Sequence, residues 1–502
     1  MTVFLPQSRT RPDERALTDN NRSVTWAELE MATAQVANGF AGLGITPGTA
    51  VAVMADNSID WIELMLGSIR AGTQMVPVNW HLTADEANYI LADSGARLLL
   101  TDSRLEGVAR KAAAGTGVDH IIVAGDEWQT WTSAQSADVP LNADAGGPLL
   151  YTSGTTGRPK GVQRSDVGGT VDQALARYRA VGDFYRYLDG GTHLVACPLY
   201  HASPPAHVLF ALTHDQDVVV MDRFDAARTL ELIERHRVSS THLVPTQFIR
   251  LLRLDDDVRN GADVSSLSTV AHGAAPCPDW VKRAMIDWFG PVIVEYFGSS
   301  EGTGPLIATS DEWLSHPGTV GRPAPTLTVS VVGEDGDDLP TGEVGTLYFR
   351  RSDGAPVYRG DPEKTRDSRL PDGRFTVGDA GWVDADGFVF LADRKVDMII
   401  SGGVNIYPAE IEGVLSQHPA VGDCAVFGVP DPEWGEAVKA AVTVLPGETP
   451  TEAELIEWCR GRMAAFKCPR SIDFHQSLPR EESGKLKKRV LRAAYLQDPG
   501  RS

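Results

Sequence analysis

The chain has 502 residues, a formal net charge of −21 and 42% apolar residues. This length exceeds what one hydrophobic core supports, so we expect at least two domains. The negative charge argues against a nucleic-acid partner and against electrostatic docking to anionic lipid. It also requires any site for anionic substrates to be locally basic or metal-assisted.

The cysteines and the N-terminus indicate a cytoplasmic protein. The five cysteines are widely spaced, without a Cys-x-x-Cys motif, which is typical of reduced thiols and argues against a zinc site. Residues 1–11 lack the basic-then-apolar pattern of a secretory signal. No run reaches the ~18 apolar residues of a membrane-spanning helix, so we expect no integral membrane segment. The composition leaves the oligomeric state open, a homodimer included.

The first ~130 residues alternate helix and strand patterns, which is typical of a doubly wound sheet. The capping boxes Thr25–Glu28 and Thr83–Glu86 predict helix starts, and 59–69 reads as a helix closed by Gly72. Apolar runs at 51–54 and 98–100 predict buried strands between these helices.

The segment 149–161, Leu-Leu-Tyr-Thr-Ser-Gly-Thr-Thr-Gly-Arg-Pro-Lys-Gly, is the most informative stretch. A buried strand ends in hydroxyl side chains, glycines and a lysine. Glycines allow backbone N–H groups to approach phosphate oxygens, and the lysine adds a positive charge, so the segment predicts a polyanion site. Its spacing differs from that of the P-loop. The alternative is a flexible surface loop.

The helix and strand alternation resumes after this segment and reaches a second motif at 295–301, Glu-Tyr-Phe-Gly-Ser-Ser-Glu. A strand there ends in aromatic residues, followed by glycine, hydroxyls and a carboxylate. Residues 298–302 also fit the G-x-S-x-G nucleophile elbow of α/β-hydrolases, with Ser300 as nucleophile and His316, His418 or His475 as partner. A serine hydrolase is therefore the alternative from a different class.

From about Val320 the pattern changes to short strands with Asp-Gly and Gly-Glu turns, which predicts a small antiparallel barrel or sheet. Gly378-Asp379 precedes a hairpin with its turn at Asp386-Gly387. After Arg394, a helix, two strands and a helix capped at Thr451 predict a compact α+β unit. The basic residues 487–489 are expected to begin a solvated helix.

Together these motifs resemble, in order, those of the adenylate-forming superfamily, which includes acyl-CoA synthetases. The resemblance implies an α/β fold: a large N-terminal AMP-binding domain (1–393) of doubly wound sheets plus a small β-barrel, followed by a small mobile α+β domain (394–502). The resemblance extends from about Arg11 to Arg492.

The resemblance also implies roles for particular residues. Lys485, Glu301 and Ser300 are expected to be catalytic, with Glu301 and Thr152 holding Mg²⁺. His201, Gly402 and Gly403 are expected to line the acyl and CoA sites. ATP is expected to contact Thr152, Ser153, Gly154, Thr155, Thr156, Gly157, Lys160, Gly273, Ala274, Ala275, Glu295, Phe297, Gly298, Asp379 and Arg394.

This chain departs from the family pattern at several of these motifs. Phe297 and Ser300 replace the usual Tyr and Thr, which keeps an aromatic face and a hydroxyl. Val396 stands where a charged pivot residue for domain rotation is usual, and the glycine that usually follows a few residues after His201 is absent.

The resulting prediction is an acid–CoA ligase. ATP would activate a carboxylic acid, expected to be fatty, as an acyl-adenylate with release of pyrophosphate, and CoA would then displace AMP. The alternatives within the family are a ligase for an aryl or steroid-like acid and an adenylating enzyme that loads a carrier protein.

Overall fold

The computed structural model describes residues 4–138, 144–152, 159–163, 169–299, 301–352, 354–358, 361–394, 399–401, 404–431, 434–480 and 486–496. Within them the chain forms four β-sheets with associated helices. No helix in these ranges is both long enough and apolar enough to cross a bilayer.

The N-terminal region alternates helices and strands, as predicted. Its elements are α1 (Gln7–Thr10), β1 (Arg15–Thr18), β2 (Ser23–Thr25), α2 (Trp26–Gly42), β3 (Ala50–Met54), α3 (Ile59–Ala71), β4 (Gln74–Pro77), α4 (Ala84–Ser94), β5 (Leu98–Thr101), α5 (Glu106–Ala113), β6 (His120–Val123) and α6 (Asp126–Ser133). The predicted capping boxes at Thr25 and Thr83 begin α2 and α4. Gly72 ends α3 at φ 73°, a left-handed conformation that glycine adopts at low cost.

The middle of the chain continues this alternation. Its elements are β7 (Gly147–Pro148), β8 (Leu150–Thr152), β9 (Lys160–Gln163), α7 (Val171–Phe184), β10 (Thr192–Val195), α8 (Ser203–Thr213), β11 (Asp217–Val220), α9 (Ala226–His236), β12 (Val238–Leu243), α10 (Pro245–Leu252), α11 (Asp256–Gly261), β13 (Thr269–His272), α12 (Asp279–Phe289) and β14 (Ile293–Phe297).

The remaining elements are mostly strands, followed by a mixed C-terminal unit. They are β15 (Leu306–Thr309), α13 (Ser310–Ser315), β16 (Thr319–Pro323), β17 (Leu327–Val332), β18 (Gly345–Arg351), β19 (Val357–Tyr358), α14 (Pro362–Asp367), β20 (Asp379–Val383), β21 (Val389–Arg394), β22 (Ile399–Ser401), β23 (Val404–Ile406), α15 (Pro408–Leu415), β24 (Val421–Asp431), β25 (Gly435–Val444), α16 (Glu452–Arg460), a 3₁₀ turn (Ala465–Lys467), β26 (Ser471–Phe474) and α17 (Lys488–Leu496).

The largest sheet has 13 strands in the order β17-β18-β20-β21-β16-β15-β14-β13-β12-β10-β11-β1-β2. In this order, the neighbouring strands from β14 to β1 pair in parallel. The neighbouring strands from β17 to β14 pair antiparallel, as do β1 and β2. A second, parallel sheet has the order β6-β5-β3-β4-β7. One apolar core contains residues of both sheets and of α3, which is buried along its whole length. The predicted α/β fold is confirmed.

The C-terminal unit has its own sheet, β23-β22-β25-β24 with β26 beside β25, and its own apolar core centred on Ile411, Val426 and Leu455. A separate core is the mark of an independent folding unit. The predicted small α+β unit after the large sheet region is therefore present.

Candidate active site

A cavity with a volume of about 1990 Å³ lies at one edge of the large sheet. Its walls include residues that follow the carboxyl ends of four neighbouring parallel strands: Cys197, Val244, Ala274 and Gly298. Open α/β sheets bind their ligands outside the carboxyl ends of their strands. This cavity is therefore the candidate active site.

The predicted phosphate segment is held by a hairpin. Strands β8 and β9 pair antiparallel, with Thr152 opposite Lys160. Ser153, Gly154, Thr155, Thr156 and Gly157, which connect them, lie outside the described residues, as does the side chain of Thr152.

The lysine of this hairpin has an acidic partner. The Lys160 ammonium forms an ion pair with Asp361, and hydrogen bonds from Lys160 and from the Lys364 backbone N–H lower the pKa of the Asp361 carboxyl. Strand β9 pairs with β19, which ends just before Asp361 in the chain. The pairing of these two strands brings Lys160 and Asp361 together.

A charged cluster surrounds the predicted metal ligand Glu301. The Tyr358 hydroxyl donates to Glu301 Oε1 over 3.3 Å, and Lys364 Nζ lies 3.8 Å from the centroid of the Tyr358 ring. Burial and repulsion from Lys160 lower the pKa of Lys364, while Glu301 and Asp361 oppose that shift. Lys364 therefore places a positive charge at the cavity beside Glu301, and the Lys160 charge is matched by that of Asp361. Ser300 lies outside the described residues.

The loop at 273–275 packs closely against the end of β14. A Cβ on Gly273 would lie 2.5 Å from the Tyr296 carbonyl oxygen, so only glycine fits there. Ala274 follows at φ 68°, a strained conformation for a residue with a Cβ. Ala274 and Ala275 line the cavity together with Phe297, whose ring lies 6.3 Å from that of Phe349. Small residues therefore lie beside an aromatic ring in the cavity wall, and their predicted contact with adenine stays a prediction.

Glu295 has a buried ion-pair partner that the sequence did not reveal. Lys282 of α12 is 1% exposed and forms an ion pair with Glu295. Lys282 Nζ also lies 2.6 Å from His272 Nε2, at the end of β13. Burial raises the pKa of Glu295 and lowers that of His272, while Lys282 opposes the first shift and adds to the second. Glu295 still reaches the cavity wall, so its predicted contact with ATP stays a prediction.

Asp379 is 6% exposed, begins β20 and lines the cavity. It stands opposite Arg394 in the β20–β21 pair, which brings the two predicted ribose-binding positions together. The side chain of Arg394 lies outside the described residues, as do Gly402, Gly403 and Lys485.

His201 also lines the cavity. Burial, with repulsion from His81, lowers its pKa to about 4, so the imidazole is neutral at physiological pH. Its Nε2 has no hydrogen-bond partner among the described residues. Part of the cavity lining is apolar and comes from α3, α7 and α8; we call this part the apolar channel. It consists of Trp61, Met65, Ile69, Ala174, Tyr178, Val181, Phe184, Leu209 and Phe210.

The C-terminal unit supplies a further wall of the cavity through α15 and β24. Arg253 of the large sheet region donates to the carbonyl oxygen of Gly422 over 2.7 Å. On the other side of β24, Asp423 accepts two hydrogen bonds from Arg480, of 2.6 and 2.7 Å. The expectation that Lys488 is solvated is wrong, because it is 13% exposed and lies 2.9 Å from Glu412.

Several histidines near the cavity are buried and neutral. His193 is 1% exposed, its Nδ1 lies 2.9 Å from Ser240 Oγ, and burial lowers its pKa from 6.5 to about 3. In the unfolded chain His193 binds a proton below pH 6.5, whereas in the folded chain it does so only below about pH 3. His193 therefore destabilises the fold as the pH falls from 6.5 to about 3.

We expect His193→Asn to remove this pH dependence while keeping a polar atom near Ser240. Between pH 7 and pH 5 the free energy of unfolding of the variant should fall by about 2 kcal/mol less than that of the parent. Urea titrations at the two pH values measure the difference. An identical pH slope in both proteins would contradict the assignment of a neutral, buried imidazole.

The profile of the AMP-binding enzyme family matches residues 4–359, and that of the AMP-binding enzyme C-terminal domain matches 410–485. The chain belongs to this adenylate-forming family. Feruloyl-CoA synthase of a Streptomyces species is 34% identical over 97% of both chains. Long-chain-fatty-acid–CoA ligase FadD13 of Mycobacterium tuberculosis is 31% identical over 94% of this chain and 93% of its own. ATP-bound MatB from Rhodopseudomonas palustris superposes with a TM-score of 0.85 at 27% identity, over 98% of this chain and 99% of its own.

Sequence reasoning missed the residues that only the fold brings to the site. Lys282 looks like an ordinary helix-surface lysine, and Asp361 before Pro362 looks like an ordinary helix cap. An amphipathic reading of α12 that placed Lys282 on the same face as the buried Met285 and Ile286 could have marked it as buried.

Proposed function

We propose that this chain is an ATP-dependent acid–CoA ligase that joins a hydrophobic carboxylic acid to CoA and releases AMP and pyrophosphate. The observation that carries the proposal is that Phe297, Glu301 and Asp379 line the same cavity as His201 and the apolar channel. ATP and an acid can therefore meet in one place. The relatives named as CoA ligases over nearly the whole chain support the same activity.

In the first half-reaction the residues hold ATP and the acid for in-line attack. Asp379, a buried acceptor, suits the two ribose hydroxyls, and the slot beside Phe297 suits adenine. Lys160 would exchange its partner Asp361 for a phosphate oxygen. The carboxylate of the acid would enter beside the neutral imidazole of His201.

Glu301 fits a magnesium ligand because it presents carboxylate oxygens at the cavity beside the predicted phosphate position. We propose that Glu301 and the hydroxyl of Thr152 hold Mg²⁺, which would neutralise phosphate charge when bound. Lys485 would then stabilise the charge that develops as the carboxylate attacks the α-phosphate.

The second half-reaction needs a new arrangement of the C-terminal unit. We propose that residues 394–502 rotate as a domain about the segment near Arg394, with 1–393 as the AMP-binding domain, and that Gly402 and Gly403 then line the path of CoA. Arg253 donates to the Gly422 carbonyl and Trp280 Nε1 to Ser416 Oγ, and such a rotation would break both hydrogen bonds. The bond from the charged guanidinium contributes about 1.5–3 kcal/mol.

The lining of the channel supports an apolar acid. Aliphatic and aromatic side chains cover its walls, which suits a fatty chain and equally a ring. Tyr178, Phe184 and Phe210 favour the second candidate, an aryl or other ring-bearing acid, because aromatic side chains stack on flat ligands. Feruloyl-CoA synthase and FadD13 represent these two acid types among the relatives.

A pyrophosphate-release assay with a panel of acids tests the proposal. We expect release that requires both ATP and an acid, followed by CoA thioester formation and AMP. The panel should run from short to long chains, with and without rings. Ester cleavage without ATP would instead support the hydrolase, and acyl transfer only to a carrier protein would support the loading enzyme.

We expect Asp379→Ala to lower kcat/KM for ATP by roughly 10–100-fold, because charged hydrogen bonds to both ribose hydroxyls are lost. The KM for the acid should change far less. Asp384→Ala, a substitution in the same hairpin but outside the cavity lining, is the matched control. Unchanged ATP kinetics in Asp379→Ala would contradict the ribose assignment.

A further inference from the structure

A chain of hydrogen bonds crosses the wall of the cavity on the acid side. The Tyr296 hydroxyl lies 2.7 Å from Ser203 Oγ and 3.0 Å from His242 Nε2. The three residues come from β14, the start of α8 and β12, and all three line the cavity. The adenylation chemistry described above uses none of them.

The direction of these hydrogen bonds follows from their geometry, in which the Tyr296 hydroxyl donates to Ser203 Oγ. Burial raises the pKa of Tyr296, so its hydroxyl keeps the proton that it donates. Burial, with repulsion from His201, lowers the pKa of His242 to about 3, so the imidazole is neutral. Because the Tyr296 hydrogen is directed to Ser203, His242 Nε2 must be the donor to the Tyr296 oxygen. Among the described residues, the Ser203 hydroxyl itself donates no hydrogen bond, so its hydrogen can be offered to a ligand.

Buried polar atoms without a hydrogen-bond partner, close to these three residues, indicate a polar group on the ligand. His242 Nδ1 and Nε2 of His207 have no hydrogen-bond partner among the described residues, and their rings stack with centroids 4.5 Å apart. Both imidazoles are at most 3% exposed. A buried polar atom without a partner costs about 1–3 kcal/mol, so few persist in a fold without a water or a ligand to satisfy them.

The surroundings of these hydrogen-bonded residues are apolar and aromatic. The Tyr185 ring lies 5.5 Å from that of Tyr296, and both Tyr185 and Phe210 line the cavity beside it. A single hydrogen-bond donor in such a wall discriminates strongly between acids with and without a matching acceptor. An acid that lacks the acceptor leaves the donor buried and unpaired.

We propose that Ser203, Tyr296 and His242 form a donor subsite that selects acids with an oxygen acceptor on the chain or ring beyond the carboxylate, such as a hydroxyl, methoxy or keto group. This inference rests on the proposed acid–CoA ligase function and narrows its substrate class. Tyr296 and His242 act through Ser203 and are positioning residues, while Ser203 contacts the acid.

The test compares matched acids that differ only in an oxygen. One pair is a phenylpropenoic acid with a para-hydroxyl or a para-methyl group, and the other is a medium-chain acid with a keto or a methylene group at the same carbon. The measured quantity is the ratio of kcat/KM for the oxygenated acid to that for its partner. Because both values come from the same preparation, the folded fraction of a variant cancels from the ratio.

We expect a ratio of about ten or more for at least one pair in the parent protein, which corresponds to about 1.4 kcal/mol. The ratio should fall towards one in Ser203→Ala and in Tyr296→Phe. Ser266→Ala, whose hydroxyl bonds to the Val238 carbonyl away from the cavity, should keep the parent ratio.

Two results would overturn the subsite alone: a ratio near one for both pairs in the parent, or an equal loss for both acids of each pair in Ser203→Ala. The second result would mean that Ser203 binds the carboxylate itself. A failure of every acid to give ATP-dependent thioester would instead overturn the proposed function, and the subsite with it.

Discussion

Lys485→Ala should abolish acyl-adenylate formation and spare thioester formation from supplied acyl-adenylate. The lysine charge is needed while negative charge develops at the α-phosphate, and it has no such task when the CoA thiol attacks the acyl carbon. Removing one donor that stabilises a transition state lowers the rate by about 10²–10³-fold, and we expect a loss of at least that size in the first step.

The two half-reactions can be measured separately. Pyrophosphate release follows the first, and thioester formation from synthetic acyl-adenylate and CoA follows the second. Lys487→Ala is the matched control, because it removes an exposed positive charge two residues away. Equal losses in both half-reactions of Lys485→Ala would rule out the assigned role.

The second large effect is expected from Lys282→Met. Removing the ammonium leaves Glu295 and His272 buried without their partner, and breaking one side of a buried ion pair destabilises proteins by about 3–5 kcal/mol. Urea unfolding measures this change. The double variant Lys282→Met/Glu295→Gln should recover much of the stability, since no unpaired charge then remains.

The double variant also decides what Glu295 does. If Glu295 acts only by fixing the loop at 273–275 and the end of β14, the stable double variant should bind ATP nearly as the parent does. If Glu295 contacts ATP directly, as predicted from the motif, ATP use should stay impaired after stability returns. Full stability of Lys282→Met alone would contradict the buried ion pair.

Local signals predicted much of the fold. The capping boxes at Thr25, Thr83 and Thr451 begin helices because the side chain and backbone groups that they join are three residues apart. The strands predicted at 51–54 and 98–100 are β3 and β5. Such features depend on neighbours in sequence, so they can be found without knowledge of the tertiary structure.

The parts of the site that could not be predicted depend on distant pairings. Ser203 and Tyr296 are 93 residues apart, and Lys160 and Asp361 are 201 apart. Glu295 fitted a family motif, yet its buried partner Lys282 lies on a helix whose orientation only packing decides. The predicted roles of Ser300, Gly402, Gly403 and Lys485 stay predictions, since these residues lie outside the described ranges.

The residues that we propose to face the nucleotide and those that we propose to face the tail of the acid lie on different elements. Phe297, Ala274 and Asp379 stand at the ends or beginnings of strands of the large sheet, whereas Tyr178, Phe184 and Phe210 belong to α7 and α8. Mutations on the two helices can therefore change which acid is accepted while the activation chemistry is inherited intact. After gene duplication, a few substitutions on these helices could therefore change the range of acids while the enzyme stays active.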